Sequence, residues 1–595
     1  MNKIPMFKKL FLIFLVIFST TSVFAQVAAD PNDSFYEDAL RWELQGLVPT
    51  LPKMRPYSLQ LVKNILETVM QSEDALAAEE ANEYYEEYFG KFLRFGVETS
   101  VYTEIKDGKL EKQLDINPLV YGNAEVLPNT TVSFEATPML STALPREGLI
   151  PKYTAPKYDS ISDSLLVSKF NLYTPYNAVV AFGSNDIYFQ VGLNRNSFGC
   201  IPDTGVVLSS TAPHVGSLVF TINKKKFNYQ LAMLLLSASN SLGQGRYPSK
   251  YFYFHSLRYS FTNKFDFTIY ETAITGPRFD FTYLMPIVPF MGMQQISGYA
   301  SDNLLIGIEL VYKPVNGLRL FFNGYADDIG FNDLVKLKLN TKLKMAIETG
   351  VQYAPLKSNL CKFISFDYTF LAPYMYSHEM KVDNELSIKT PNYQNYTSGN
   401  VSLGALIPPN SDQLRFNIEI KPVKDLALSF NSTIIRHGNI NETYYKKGIQ
   451  NNSIIDQDAY DCLKSYLISP YQDLPTDGSI FDFPNATGNY FNYPNSNFLF
   501  LDNTTNYICF QNSINSNYTL LFKNKSSIVF GVNYTLQYEK NVGVGTNIFT
   551  KVDGFTDKTS KEEIISELNN QYDKWKLNLT DQFSNFLSFS VKYVY

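Results

Sequence analysis

Four histidines, His214, His255, His378 and His437, are the residues from which acid–base or nucleophilic catalysis would be assembled, and they lie far apart in the chain. No Gly-x-Ser-x-Gly elbow presents a serine and no His-Glu-x-x-His aligns two zinc ligands, while His255-Ser256 sits in a strand-like run. The expectation is a protein that is not an enzyme, with no metal and no cofactor; only a His, Asp and Ser set gathered by folding would change that. A different chemistry is concentrated around Gly488, where Asn485, Asn489, Tyr490, Asn492, Tyr493 and Asn495 crowd one stretch. Planar amides bond sugar hydroxyls and aromatic faces stack on sugar rings. Tyr490, Asn492, Tyr493 and Asn495 are therefore candidate glycan contacts, with a merely solvated loop as the competing reading.

The frame that must position such a loop is visible in the composition. Of 595 residues only 18% are charged, below the roughly 25% usual for soluble domains. Aromatics reach 15%, nearly all of it in 42 Tyr and 45 Phe against 2 Trp. A net charge of −6 with no long basic run interleaved with aromatics excludes the phosphate-neutralising surface that nucleic acid requires. Lys3, Lys8 and Lys9 precede an apolar run from Leu10 to Phe18 and a small-residue end at Val23-Phe24-Ala25, which reads as a secretory signal over residues 1–25. The apolar run is shorter than the ~20 residues a spanning helix needs. Cys200, Cys361, Cys462 and Cys509 are scattered singly. Cys361 and Cys509 fall in strand-like runs as small hydrophobes, and Cys200 with Cys462 is the pair that export would allow to bridge.

Residues 26–92 read as a helical segment on the periplasmic side. Phe35, Leu40, Leu44 and Leu47 recur at helical spacing, Ser58 is placed to cap a second helix, and a third runs from Asp74 to about Phe92. Its Glu79, Glu80, Glu83, Glu86 and Glu87 suggest a solvated acidic face. From Leu93 onward the period changes to two. Phe265 to Ala273 and Leu587 to Tyr595 alternate apolar with polar residues, and Phe254 to Ala273 spells two strands around Asn263-Lys264. Residues 93–595 are expected to be β throughout, an all-β transmembrane barrel of antiparallel strands with a wet lumen, because a closed barrel is the only way strands cross a bilayer. The last strand runs to the final residue with Tyr593 and Tyr595 on its apolar face, resembling the aromatic terminal strand of bacterial outer-membrane barrels. Outer-membrane lipid, and the barrel-assembly machinery acting on the strand that ends at Tyr595, are the partners this implies. The long polar stretch 437–503, with Leu144 to Pro175 and Pro373 to Asp412, is expected at the cell surface.

Two stretches carry a closer resemblance. Gly192-Leu193-Asn194-Arg195-Asn196-Ser197-Phe198-Gly199, then Gly205-Val206-Val207-Leu208-Ser209-Ser210-Thr211-Ala212, is similar to the Gly-Arg, Gly, then Leu-Leu-Ser-x-x-Ala region of the Wzi-type capsule assembly proteins. Leu305 to Glu309, leading through Leu318-Arg319-Leu320-Phe321 to Asp327-Asp328, resembles that family's later strand pair and its acidic end. Leu40 to Leu47 and Arg55-Pro56-Tyr57 look like its opening segment. Arg195 stands two residues further from Gly192 than the family pattern has it, and the second half is longer and rich in Asn.

The resemblance implies an outer-membrane barrel of about eighteen strands, with helices under its periplasmic mouth and loops that hold capsular or exopolysaccharide at the cell surface. Gly192, Gly199 and Gly205 are expected to permit tight turns, and Arg195 to pair with carboxylates inside the lumen. Ser209 and Ala212 belong to the same motif, while Asp327 and Asp328 either end a strand or hold a cation. The alternative is a channel or transporter for solutes, since so large a barrel leaves a passage unless something fills it.

Overall fold

The computed structural model describes residues 30–143, 148–154, 165–167, 169–173, 175–201, 203–238, 249–276, 278–297, 302–327, 344–356, 360–376, 395–399, 401–468, 504–524 and 526–595. Eighteen antiparallel strands close into one barrel. The first six are β1 (Leu93–Lys106), β2 (Lys109–Leu127), β3 (Thr130–Ala136), β4 (Tyr176–Gly183), β5 (Ile187–Asn194) and β6 (Val215–Lys224). The wall continues with β7 (Phe227–Ser237), β8 (Ser249–Thr262), β9 (Phe265–Thr275), β10 (Asn303–Tyr312), β11 (Leu318–Asp327) and β12 (Lys344–Tyr353). It is completed by β13 (Cys361–Leu371), β14 (Ser411–Val423), β15 (Leu426–His437), β16 (Tyr507–Leu521), β17 (Ser527–Val542) and β18 (Thr580–Val594). Each strand pairs with its sequence neighbours, and β18 closes on β1 from Gly96↔Val594 to Lys106↔Ser584.

Period-two alternation decides which side chain goes where. On β9, Asp266, Thr268, Tyr270 and Thr272 are buried inward while Ile269 is exposed outside. On β18, Phe589, Val591 and Tyr593 face outward, as does Tyr595 just beyond it, and Ser584 and Phe586 face the lumen. Phe95, Val97 and Val101 on β1 continue the outer apolar band. Among the described residues no helix is long and apolar enough to cross a membrane.

The connections sort by end. Apart from Asp107-Gly108, the turns at one end are long, and those at the other, such as 225–226, 263–264 and 424–425, are short. Three helices sit at the short-turn end: α1 (Ser34–Gln45), α2 (Leu59–Met70) and α3 (Ala75–Phe89). Asp33, Ser58 and Asp74 cap them by accepting from Phe35, Leu61 and Leu76 backbone amides. Phe35, Trp42, Ile65, Leu66 and Tyr88 form their shared core. A much larger core lies inside the barrel. It joins Phe198 and Val206 to Phe254, Tyr270, Tyr376, Tyr396 and Leu403, so the lumen is packed like a protein interior.

Candidate functional site

Between β5 and β6 the chain does not arch outward; the described residues 195–201 and 203–214 fold into the barrel. Their underside pairs with the helical segment, Met54↔Phe198 and Arg55↔Ser197 forming a two-stranded ladder in the lumen. The wall holds both partners: Met54 N donates to Gln230 Oε1 at 3.1 Å, Arg258 Nη1 to the Leu51 carbonyl at 2.7 Å, and Val206 N to Glu348 Oε1 at 3.0 Å. From above, Tyr376 and Tyr396 donate to the Val206 and Val207 carbonyls, both at 2.6 Å, and Ser209 N donates to the Leu403 carbonyl at 2.8 Å. Tyr376, Tyr396 and Leu403 are fully buried. The region Pro373 to Asp412 was expected at the surface; its described parts instead turn inward, because these aromatic and apolar side chains find a packed site only in the lumen.

At the short-turn end the helices are held by ions. Glu80 accepts from Arg41, from Lys362 at 3.0 Å and from Lys421 at 3.1 Å. Burial pushes its carboxyl up, but the three cations outweigh burial and hold it down at about 2. Glu43 behaves alike: against burial, Lys313 at 2.7 Å, with Arg319 and Lys53, holds it at about 2. Between α1, α3 and the wall lies a cavity of about 1180 Å³, roofed by Cys200, Ile201, Asp203 and Ser210 of the inserted segment. Glu37 lines this partly open cavity. Burial, then Glu419 and Asp38, raises its carboxyl to about 8. Asp33, desolvated beside Glu87, is raised to about 7.

Residues 93–595 are not β throughout: α4 (Phe290–Ser297) lies on the outer wall, and among the described residues the long-loop end carries a cap of three helices, α5 (Ile440–Gly448), α6 (Gln457–Ile468) and α7 (Lys561–Leu577), because its connections are long enough to fold on their own. Glu442, fully buried, accepts from Thr505 N at 2.9 Å, Thr504 Oγ1 at 3.0 Å and Tyr572 Oη at 2.8 Å, locking α5 to α7. These bonds outweigh burial and keep its carboxyl low. Tyr445, half-buried, stacks on Tyr572 with ring centroids 4.3 Å apart and donates to Asn569 Oδ1 at 2.6 Å. Asn569 passes the chain on to Asn452 at 2.8 Å, and Gln571 brackets the Thr550 backbone. The amides of Asn452, Asn569 and Gln571 around this aromatic pair are partly open, and planar amides can bond hydroxyls.

Neither family models nor curated proteins match this chain. Solved structures do. Wzi, an outer-membrane protein involved in group 1 capsule assembly in Escherichia coli and described as a carbohydrate-binding β-barrel, aligns over 95% of this chain and 99% of its own at 10% identity and a TM-score of 0.49. Acinetobacter baumannii OccAB2 aligns over 84% and 97% at 10% identity and a TM-score of 0.39. Pseudomonas aeruginosa OprD aligns over 84% and 95% at 9% identity and 0.37.

The residues singled out in the sequence divide three ways. Gly192 is not in the tight turn expected of it but within β5, where a Cβ would meet the Ala178 carbonyl at 2.6 Å, so glycine is needed for the close approach of β4. Gly199, at φ +115°, turns the inserted segment; Gly205 lies beyond it, in the same segment. Arg195 is buried there, its Nη1 donating to the Ser210 carbonyl at 3.3 Å. Ser209 bonds the Asp203 carbonyl at 2.9 Å, and Ala212 is buried beside it. Asp327 ends β11, 3.5 Å from Lys344 on β12. Asp328, Tyr490, Asn492, Tyr493 and Asn495 lie outside the described residues. None of the four cysteines forms a disulfide, Cys200 donating to Glu309 in the lumen and Cys462 lying on α6. His437 shares a 2.8 Å bond with buried Ser411, and His255 faces Glu271 on the outer wall. The cap residues Tyr445, Asn452, Asn569 and Gln571 were missed; the run Asn569-Asn570-Gln571-Tyr572 was the available signal.

Proposed function

We propose that this chain is a bacterial outer-membrane β-barrel with a filled lumen, helices on the periplasmic side, and a surface cap that binds or anchors polysaccharide. The observation that carries the reading is the inserted segment 195–214, clamped by Met54 below, Glu348 at the side and Tyr376 and Tyr396 above. A barrel this wide conducts only if its lumen is empty or its filling moves. The apolar outer band supports the bilayer placement, and the sorting of short turns from long connections supports the orientation. Residues ending at Tyr595 are the strand that assembly machinery would take.

A solute channel is the second reading, favoured by the cavity at the short-turn end. Asp203 and Ser210 close that cavity's roof, which makes it a vestibule under a plug. The test is binding of capsular or exopolysaccharide to the purified protein and to Tyr445→Ala/Asn569→Ala. Saturable binding by the parent that the variant loses supports the reading; no binding by either overturns the polysaccharide assignment.

A further inference from the structure

Residues 278–297, between β9 and β10, run back along the outside of the barrel. On β8, Phe252 and Phe254 belong to the lumen core, while Tyr253 and His255 face the other way. Against those two outward side chains stack Tyr283, centroids 5.1 Å apart, and Phe290, at 4.2 Å. The segment is pinned at the rim by Arg278 to Asp302 at 2.7 Å and Tyr283 to Asp302 at 2.9 Å. Farther down the wall, Ile287 N donates to Tyr229 Oη at 3.4 Å. Tyr229, Leu257, Ile269 and Ile308 are register partners in one row of the wall, and the last three are exposed apolar residues of the outer band.

Non-helical backbone at membrane depth is tolerated only where it is covered by protein, with its polar groups satisfied. Here Pro286 and Pro289 carry no amide donor, Phe290 N donates to Glu271 Oε2 at 2.6 Å, Asp280 N to Tyr253 Oη at 2.9 Å, and Met293 N to the Pro289 carbonyl at 3.2 Å. From Phe281 to Ser297 there is no charged residue. Yet the outward side chains are apolar: Ile287 is 77% exposed and Ile296 79%, with Phe281 and Met291 beside them. Ile287 also holds φ at +74°, a conformation glycine or asparagine would adopt more easily, so a large apolar side chain is kept there at a conformational cost.

We propose that 278–297 is a re-entrant arm lying along the barrel within the bilayer, whose outer face, Phe281, Ile287, Met291 and Ile296, packs against lipid acyl chains. It covers the His255–Glu271 pair, 3.1 Å apart, which would otherwise face hydrocarbon from the barrel wall. Lipid is the occupant because the exposed face is continuous with Leu257, Ile269 and Ile308 and offers no charge with which a protein partner would fix a register.

The inference rests on the bilayer reading of the outer band, which the experiment tests separately. Ile287→Trp and Phe589→Trp are each reconstituted in phosphatidylcholine vesicles brominated on the acyl chains, with the parent's buried Trp42 and Trp575 as background. Bromine should quench both variants severalfold more than aqueous iodide does. Iodide quenching of Ile287→Trp alone overturns the arm and leaves the bilayer reading intact, whereas absence of bromine quenching in both overturns the bilayer reading. Bromine quenching of Ile287→Trp that disappears as protein is concentrated in the vesicles, with Phe589→Trp unaffected, assigns the face to a second copy and overturns the lipid assignment. Ile296→Trp repeats the measurement if the first variant does not fold.

Discussion

Lys362 on the barrel wall donates to Glu80 on α3 at 3.0 Å, joining two groups 282 residues apart in the chain. Both are buried, and Arg41 and Lys421 reach the same carboxylate. This contact fastens the helices across the mouth that would otherwise open into the lumen.

Glu80→Gln leaves three cations sharing a neutral partner. Breaking one side of a buried ion network costs about 3–5 kcal/mol. The expected outcome is faster proteolytic release of residues 34–92, with the barrel's heat-modifiable gel mobility unchanged. Lys424→Ala, removing exposed pairs to Glu79 and Glu83, should cost only ~0.2–1 kcal/mol and leave the helices protected.

Helix docking should be strongest near pH 4 to 4.5. Glu43 and Glu80, lowered to about 2 from the usual 4.5, stabilise docking above pH 4.5 and lose that contribution as pH falls toward 2. Asp33 and Glu37, raised to about 7 and 8, favour docking fully below their usual 3.8 and 4.5 and lose that contribution progressively as pH rises from there to 7 and 8. Protease protection of α1 to α3 across pH 3 to 9 should therefore fall at both ends; a monotonic profile would contradict this balance.

Tyr376→Phe with Tyr396→Phe removes both hydroxyls from the Val206 and Val207 carbonyls. Each buried carbonyl left without a donor costs ~1–3 kcal/mol. Hydrogen exchange of residues 203–211 should quicken in the double variant, while exchange in β18 stays slow.

Tyr445→Ala should weaken polysaccharide binding at least tenfold, and Tyr445→Phe, which keeps the ring but not the bond to Asn569, should weaken it less. Equal losses would mean that the hydroxyl network rather than the stacking face does the binding.

The barrel was legible because its side-chain period is two from Leu93 onward; the hairpin of β8 and β9 around Asn263-Lys264 appears where the alternation places it. The capped helices were legible for the same kind of local reason, the third ending at Phe89 rather than Phe92. What local pattern does not carry is long-range placement. Glu80 sits in a run of five glutamates that reads as solvated, and nothing nearby in sequence shows that Lys362 and Lys421 will come to it. The motif from Gly192 to Ala212 was visible as a motif, but its position inside the lumen depends on Gln230, Glu348 and Tyr396, each on a different part of the chain.

Single-channel conductance of the intact protein in a planar bilayer, repeated after deletion of residues 34–92, tests the filled lumen most directly. The intact chain should show no steady conductance, since 195–214 remains clamped between Met54 and Tyr396. Steady open-pore current through the intact chain would contradict the plug and make this barrel a channel.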